Sequence, residues 1–428
     1  MGMRSSGYDI TNISLFLIYF SGPKGHQFFI VFNPRYRNII LYMASNQHGK
    51  CDIITPSFKT YKTLSLRGGD YVSYSLSNLT ERIIQQIKVD LHVRVECDVP
   101  ITLYYFLMGE NNTIWKTFQS YPSAVLSTKY ILPHYKVHKK FDALGIIALE
   151  DDTSVRVDFK LTKWVRSDIV YRGKYYSKDI RLLTVTANQY EYSYVSCDKC
   201  HLTGTYLVSS RPFALFFKSY IPEAIPVLPL KDLSRVFIVP RLSDDISVLG
   251  LRIFTIKKTK IEFKETNDSV STSTLNSNDY LNTNHKDTTI ISSVENVNLF
   301  LKTYGPNTGT IDHGVPGVAQ YLPYYEFIIP HHASKNFATI VIATRDITGL
   351  RLDKRTVKAD TFVGLETVNI SEKLYSIFSI PVDVGWHTAV HSQHVPFGLL
   401  VQGISKYPGA SQSSSYVYFA GMSYSMVV

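Results

Sequence analysis

No stretch of this 428-residue sequence is apolar over the ~18–20 residues that a membrane-crossing helix needs, so no transmembrane segment is expected. The best apolar run near the start, Ile13 to Phe20, ends after eight residues. With Arg4 before it and Ser21-Gly22 after it, residues 1–24 have the outline of a weak secretory signal, which Asp9 and Asn12 interrupt. Helical periodicity is scarce. Its best window is Leu79 to Val89, and the alternation Ile87, Val89, Leu91, Val93, Val95 resumes a strand at once. Dense basic clusters are missing too. The net charge is +10, but the longest run, Lys257-Lys258-Thr259-Lys260, is short, and no nucleic-acid motif accompanies it. The charge reads as solvated strand faces, or as complement to an anionic glycan or mucin. There is no G-x-S-x-G, P-loop or dinucleotide fingerprint, so neither a cofactor nor an enzyme is expected.

Only four cysteines occur: Cys51, Cys97, Cys197 and Cys200. Four cysteines allow three pairings. Cys51 and Cys97 fall in one repeat of the pattern described below and are paired on that ground. Cys197-Asp198-Lys199-Cys200 reads as a tight disulfide or as two free thiols in a turn, against the alternatives of a redox motif or half a zinc site. His387 and His391 are the best metal candidates. A strand would place both on one face, but the Glu and the helix that zinc proteases use are missing. Sequons at Asn12, Asn78, Asn111, Asn267 and Asn369 are candidate glycosylation sites in a secreted chain.

What the sequence does have is 30 Tyr and 23 Phe, a composition suited to pleated, half-buried surfaces. It also has an internal repeat. Asp98-Val99-Pro100-Ile101, Ser210-Arg211-Pro212-Phe213 and His394-Val395-Pro396-Phe397 each lead into an apolar strand, and Asn296-Val297-Asn298-Leu299 is a degenerate copy. Proline donates no backbone hydrogen bond, so the motif reads as a strand-entry marker. Ahead of the later copies lies an apolar strand, a charged turn and another strand, as in Ala143 to Phe159, Gly250 to Phe263 and Ala338 to Leu352. The hairpin from Phe28 to Met43 supplies the first. The expected fold is all-β, with tandem β-sandwich-like repeats of mainly antiparallel strands over 25–120, 121–225, 226–318 and 319–428, or else a β-propeller. Residues 265–298, dense in Ser, Thr, Asn and Asp, read as a mobile polar insert.

Three segments resemble one family. Phe141 to Val157, with Ala148-Leu149-Glu150-Asp151-Asp152-Thr153, is similar to a hairpin of the IgGFc-binding protein N-terminal domain. His201-Leu202-Thr203-Gly204-Thr205 through Pro212 resembles the family's "DLTGT" segment, with His201 where an acidic residue is usual. The end, Pro396-Phe397-Gly398 through Tyr416 to Gly421, is similar to its closing pattern, apart from a serine-rich stretch at Ser411 to Ser415. The resemblance covers about residues 25–428. It implies a non-catalytic extracellular or cell-surface recognition and adhesion module for a protein or glycan. In the founding protein the ligand is the Fc part of immunoglobulin G within mucus. A family named for one member's ligand leaves this chain's ligand open. The alternatives are a hydrolase on a β scaffold and a ligand-free structural part of a larger secreted protein.

Overall fold

The computed structural model describes residues 23–32, 39–56, 60–76, 91–108, 114–133, 141–160, 168–177, 179–198, 202–219, 224–246, 248–266, 269–305, 309–331, 333–405 and 414–424. The weak helical window from Leu79 to Val89 and the N-terminal apolar run lie outside the described residues. The all-β expectation holds: every paired strand is antiparallel, and the helices of the described residues are short 3-10 turns. Alternation produces the strands. Thr153–Asp158 buries Thr153, Val155 and Val157 on one side and turns Arg156 outward.

One long strand organises each unit. Leu91–Met108 pairs through its first half with Gly25–Phe32 and Gly49–Thr55, and through its second half with Ile39–Ser45 and Ile114–Gln119. Tyr206–Ser219 does the same with Ser127–Ile131 and Thr153–Asp158, then with Phe141–Ala148 and Ala224–Pro226. Thr289–Gly305 follows with Ser234–Val239 and Thr259–Glu265, then with Val248–Thr255 and Gly309–Gly314. In the fourth unit this strand is broken. Gly385–His391 pairs with Tyr324–Ile329 and Leu350–Leu352, whereas Gly398–Ser405 pairs with Lys335–Ala343 and Ser414–Phe419. The two half-sheets of a unit face each other. In the first unit Phe28, Ile30 and Ile53 of one half share a core with Leu41, Met43 and Leu103 of the other.

This plan corrects the reading of the proline motif. Pro100 and Pro212 lie inside long strands, and Pro396 lies in the break of the fourth. Each sits where the chain passes from one half-sheet to the next. In the first unit the ladder to Gly49–Thr55 ends at Cys97 and the ladder to Ile39–Ser45 begins at Thr102. In the second unit the ladders stop at Ser209 and restart at Phe213. A missing N–H costs little where the ladder has lapsed. A tyrosine braces two of these junctions. Tyr130 donates to the Phe213 carbonyl at 2.8 Å and accepts from the Ser127 N–H at 3.0 Å. Tyr325 donates to the Phe397 carbonyl at 2.6 Å and accepts from the Leu322 N–H at 3.0 Å.

The polar segment 265–298 also departs from expectation. It holds the strands Val270–Leu275 and Asp279–Thr283 and the start of Thr289–Gly305. Its Ser and Thr residues form an exposed strand, Val270–Leu275, whose partner Thr259–Glu265 fixes its register. Pairing supplies order that the composition does not advertise.

The four units close into a ring. Phe29 and Val31 pack with Leu126, Ile147 and Phe216 of the second unit, and Phe300 of the third enters the second unit's core. Ile238 and Ile290 pack with Val341 and Ile377 of the fourth. Tyr42, Tyr104 and Phe106 of the first enter the core of the fourth. At the closure, the Tyr104 hydroxyl bonds the Glu326 and Ala420 carbonyls at 3.0 and 2.8 Å, and Lys24 pairs with the buried Glu326 carboxylate. Gly421 has φ +144, and a Cβ there would stand 2.4 Å from Pro23 Cγ, so the seam needs glycine.

Cys51 and Cys97 are directly opposed across two strands and form a disulfide spanning 46 residues. Closing a loop of that length is worth roughly 2–4 kcal/mol. A Cys51→Ala/Cys97→Ala variant should lose that much in urea unfolding, and a loss under about 1 kcal/mol would contradict the assignment of weight to this bridge.

Candidate functional site

Where the four units meet, the ring leaves a cavity of about 90 Å³, several times the roughly 10–15 Å³ that one water needs. Its wall follows from the repeat plan. The last strand of each unit contributes: Thr117, Phe118 and Gln119 from the first, Ile225 and Pro226 from the second, Asp312 to Gly314 from the third, Tyr418 and Phe419 from the fourth. Tyr121, Phe300 and Tyr424 complete an aromatic lining.

Behind the wall, Asp312 is held by a buried ion pair. Arg252, 1% exposed at its side chain, reaches Asp312 Oδ2 with Nη1 at 2.7 Å and donates from Nε to Asn282 Oδ1 at 3.0 Å. Burial raises the Asp312 carboxyl pKa, and Arg252, Lys302 and Lys116 oppose that rise. Asp312 Oδ1, Thr117 Oγ1 and the Tyr424 hydroxyl have no hydrogen-bond partner among the described residues. His313 meets Thr303 Oγ1 at 3.0 Å, and burial, with Lys116 adding to it, lowers its pKa to about 3. A base that weak is poorly matched to proton abstraction near neutral pH. The cavity sets these buried polar groups beside aromatic walls.

The sequence-selected residues lie elsewhere. His387 and His391 share one strand, but their ring nitrogens are engaged by protein. His387 Nδ1 meets Asp353 Oδ2 at 2.8 Å and Nε2 meets the Asp383 carbonyl at 2.9 Å. His391 Nε2 donates to the Asp346 carbonyl at 2.7 Å, and its Nδ1 accepts from the Gln393 and Val395 N–H groups at 3.2 and 3.3 Å. Protein groups therefore engage both nitrogens of each ring. No cluster of metal-ligand type occurs among the described residues. Cys197 is disulfide-bonded, which removes the free-thiol reading, while Cys200 and His201 lie outside the described residues. Asp151 accepts from the Gln189 N–H at 3.0 Å, Asp244 pairs with Arg241 at 2.8 Å and Asp245 with Lys335 at 2.9 Å, each a turn or surface contact. Of the sequons, Asn369 is described and exposed. Asn12, Asn78, Asn111 and Asn267 lie outside the described residues.

Sequence reasoning missed the Arg252–Asp312 pair, and a signal for it was present. Arg252 interrupts the apolar run Gly250 to Phe254, and a charge placed among core residues needs a buried partner.

The chain is thus built of two-layered β units joined in a ring, the first of them braced by an internal disulfide. The chain belongs to the family described as "IgGFc binding protein", whose model matches residues 116–403, about two thirds of its length. This is a family of non-enzymatic binding domains of extracellular proteins. The match spans the second and third units and most of the fourth. The first unit lies largely outside it yet repeats the same strand plan. No curated protein matches the chain. Among solved structures, the N-terminal eight Ig domains of Down Syndrome Cell Adhesion Molecule isoform 1.30.30 align at 10% identity, covering 92% of this chain and 50% of that one. The chain thus spans half of that structure, and its TM-score of 0.13 is too low for the likeness to carry an argument. No helix among the described residues is long and apolar enough to cross a membrane.

Proposed function

We propose that this protein is a non-catalytic, secreted recognition module for an extracellular glycoprotein, of the immunoglobulin Fc or mucin kind. The observation that carries the reading is the family match over residues 116–403, which includes most of the central cavity's wall. The net charge of +10 supports an acidic partner such as a sialylated or sulfated mucin, because excess positive charge speeds encounter with a polyanion. The test uses the full chain against immobilised Fc fragment and purified mucin. Saturable binding to one of them is expected, and retention of neither Fc, mucin nor any other mucus or serum glycoprotein overturns the reading. For the mucin arm, raising salt from about 50 to about 500 mM should weaken binding by about tenfold, chiefly through slower association, as screening shortens to a few ångströms.

A further inference from the structure

We infer that Asn369 carries an N-linked glycan, and that this glycan covers the exposed apolar rim of the fourth unit's outer strand. The inference rests on the extracellular reading above. Val363–Ile370 is the outermost strand of its sheet. On its inner face Val368 is buried and Ile370 packs against the core shared with the third unit. Alternation therefore turns Thr367 and Asn369 outward together, and Leu365, in the bulge that precedes them, is exposed as well. Leu374 stands directly opposite Asn369 in the register. Leu365 is 56% and Leu374 46% exposed, so Asn369 sits beside two leucines that are about half open to solvent. Cross-strand partners hold their Cβ atoms about 4.5–5.5 Å apart. Leu365 lies about 13 Å away, four strand residues along. Sugars nearest the Asn369 amide lie within reach of Leu374 first and of Leu365 next.

The acceptor geometry is open. Asn369-Ile370-Ser371 is a sequon, and Ser371 and Glu372 form a two-residue hairpin turn with φ of 46° and 69°. The sequon's hydroxyl residue thus stands at a protruding tip. The modification needs a lipid-linked oligosaccharide pyrophosphate as donor. The Asn369 side-chain nitrogen loses one proton and bonds the anomeric carbon, and the lipid pyrophosphate departs. The disulfides of Cys51–Cys97 and of Cys197 fit the oxidising route on which that donor is met. A second copy adding as a strand is the competing occupant. The edge argues against it, because Gly364, at φ +68, bulges the strand between Val363 and Glu366 and breaks the regular ladder a partner would extend.

The test is secretion of the full chain from a glycosylating host, release of N-glycans by peptide-N-glycosidase in 18O-water, and mass analysis of the peptide holding residue 369. Labelled aspartate at 369 is expected. Asn369→Gln and Ser371→Ala should each lose it, and Ser371→Thr should keep it. By sedimentation, Asn369→Gln should self-associate at concentrations where the parent is monomeric. Adding Leu365→Ser and Leu374→Ser should restore the monomer, with circular dichroism confirming the fold throughout. An unmodified Asn369 in a chain whose other sequons carry glycans overturns the inference alone. Absence of glycan from every sequon overturns it together with the extracellular reading. A monomeric Asn369→Gln overturns the covering role.

Discussion

Acidification from pH 7 to pH 4 should lower the folding stability of this protein by several kcal/mol. Two buried histidines drive the effect. His92 has its pKa lowered to about 4, first by burial and further by Arg94, against a hydrogen bond with the Tyr190 backbone that raises it. His313 is lowered to about 3, by burial and then by Lys116. The ordinary histidine value is about 6.5. Below that value the unfolded chain takes up protons that the folded chain refuses. The unfolded state then binds more protons, so stability is full above pH 6.5 and falls as pH drops towards the folded values. The linked loss is on the order of 3 kcal/mol for His92 and somewhat more for His313. Together they rival the 5–15 kcal/mol that a typical domain has in total. His285, also lowered by burial against the opposing Pro240 carbonyl, adds in the same direction. His387 works the other way. Burial lowers its pKa, but the Asp353 hydrogen bond and the Asp383 contacts leave it raised overall, so it contributes stability as pH falls below its folded value. Asp312, raised by burial, likewise sheds a penalty on protonation. Urea unfolding at pH 7, 5.5 and 4 measures the sum. His92→Phe and His313→Gln should flatten the profile, and an unchanged midpoint from pH 7 to 4 in the parent would falsify the account.

The fold class was legible because burial on one side of a strand forces alternation, and runs such as Val155-Arg156-Val157 state it openly. The position of the proline motif was legible as well, but its meaning was not. Proline marks a place where a backbone N–H is unneeded, and both a strand entry and a lapse between two ladders satisfy that condition. Which one applies depends on Gly49–Thr55 ending opposite Cys97 and Ile39–Ser45 beginning opposite Thr102, contacts between segments some 46 to 58 residues apart. The serine- and threonine-rich segment misled for a related reason. Its order comes from pairing with Thr259–Glu265, and polar composition alone does not reveal a partner. The spacing of His387 and His391 placed them on one strand, while the groups that occupy their nitrogens, Asp353, Asp383 and the Asp346 carbonyl, belong to turns and to a neighbouring strand's end. The cavity was least accessible of all. Its wall draws on residues from Thr117 to Tyr424, and only ring closure brings them together.

Replacing Arg252 by methionine should cost about 3–5 kcal/mol, the usual penalty for removing one partner of a buried ion pair. The side chains of Arg252 and Asp312 are 1% and 7% exposed and meet at 2.7 Å, so the loss is not cushioned by water as it would be at the surface. Loss of the guanidinium leaves the Asp312 carboxylate with only Lys302 and Lys116 to offset its desolvation, while Asn282 Oδ1 loses the Nε donor. The carboxyl pKa should therefore rise further, and the variant should regain part of its stability as pH falls to where Asp312 takes a proton. This is opposite in sign to the histidine effect and separable from it in an Arg252→Met/His313→Gln background. Removing both charges tests the cause directly. Arg252→Met/Asp312→Leu leaves no orphaned charge, and replacing a buried pair by apolar groups is often close to neutral. The double variant should recover most of what Arg252→Met loses, giving a coupling energy above about 1 kcal/mol in a double-mutant cycle. Were the pair only a bystander, Arg252→Met would lie within about 1 kcal/mol of the parent and the two substitutions would add. Because Asp312 also lines the cavity, the folded double variant serves a second purpose. Unchanged Fc and mucin binding in it would move the recognition surface away from the ring axis to the outer faces of the units, and weakened binding with intact stability would hold it at the axis.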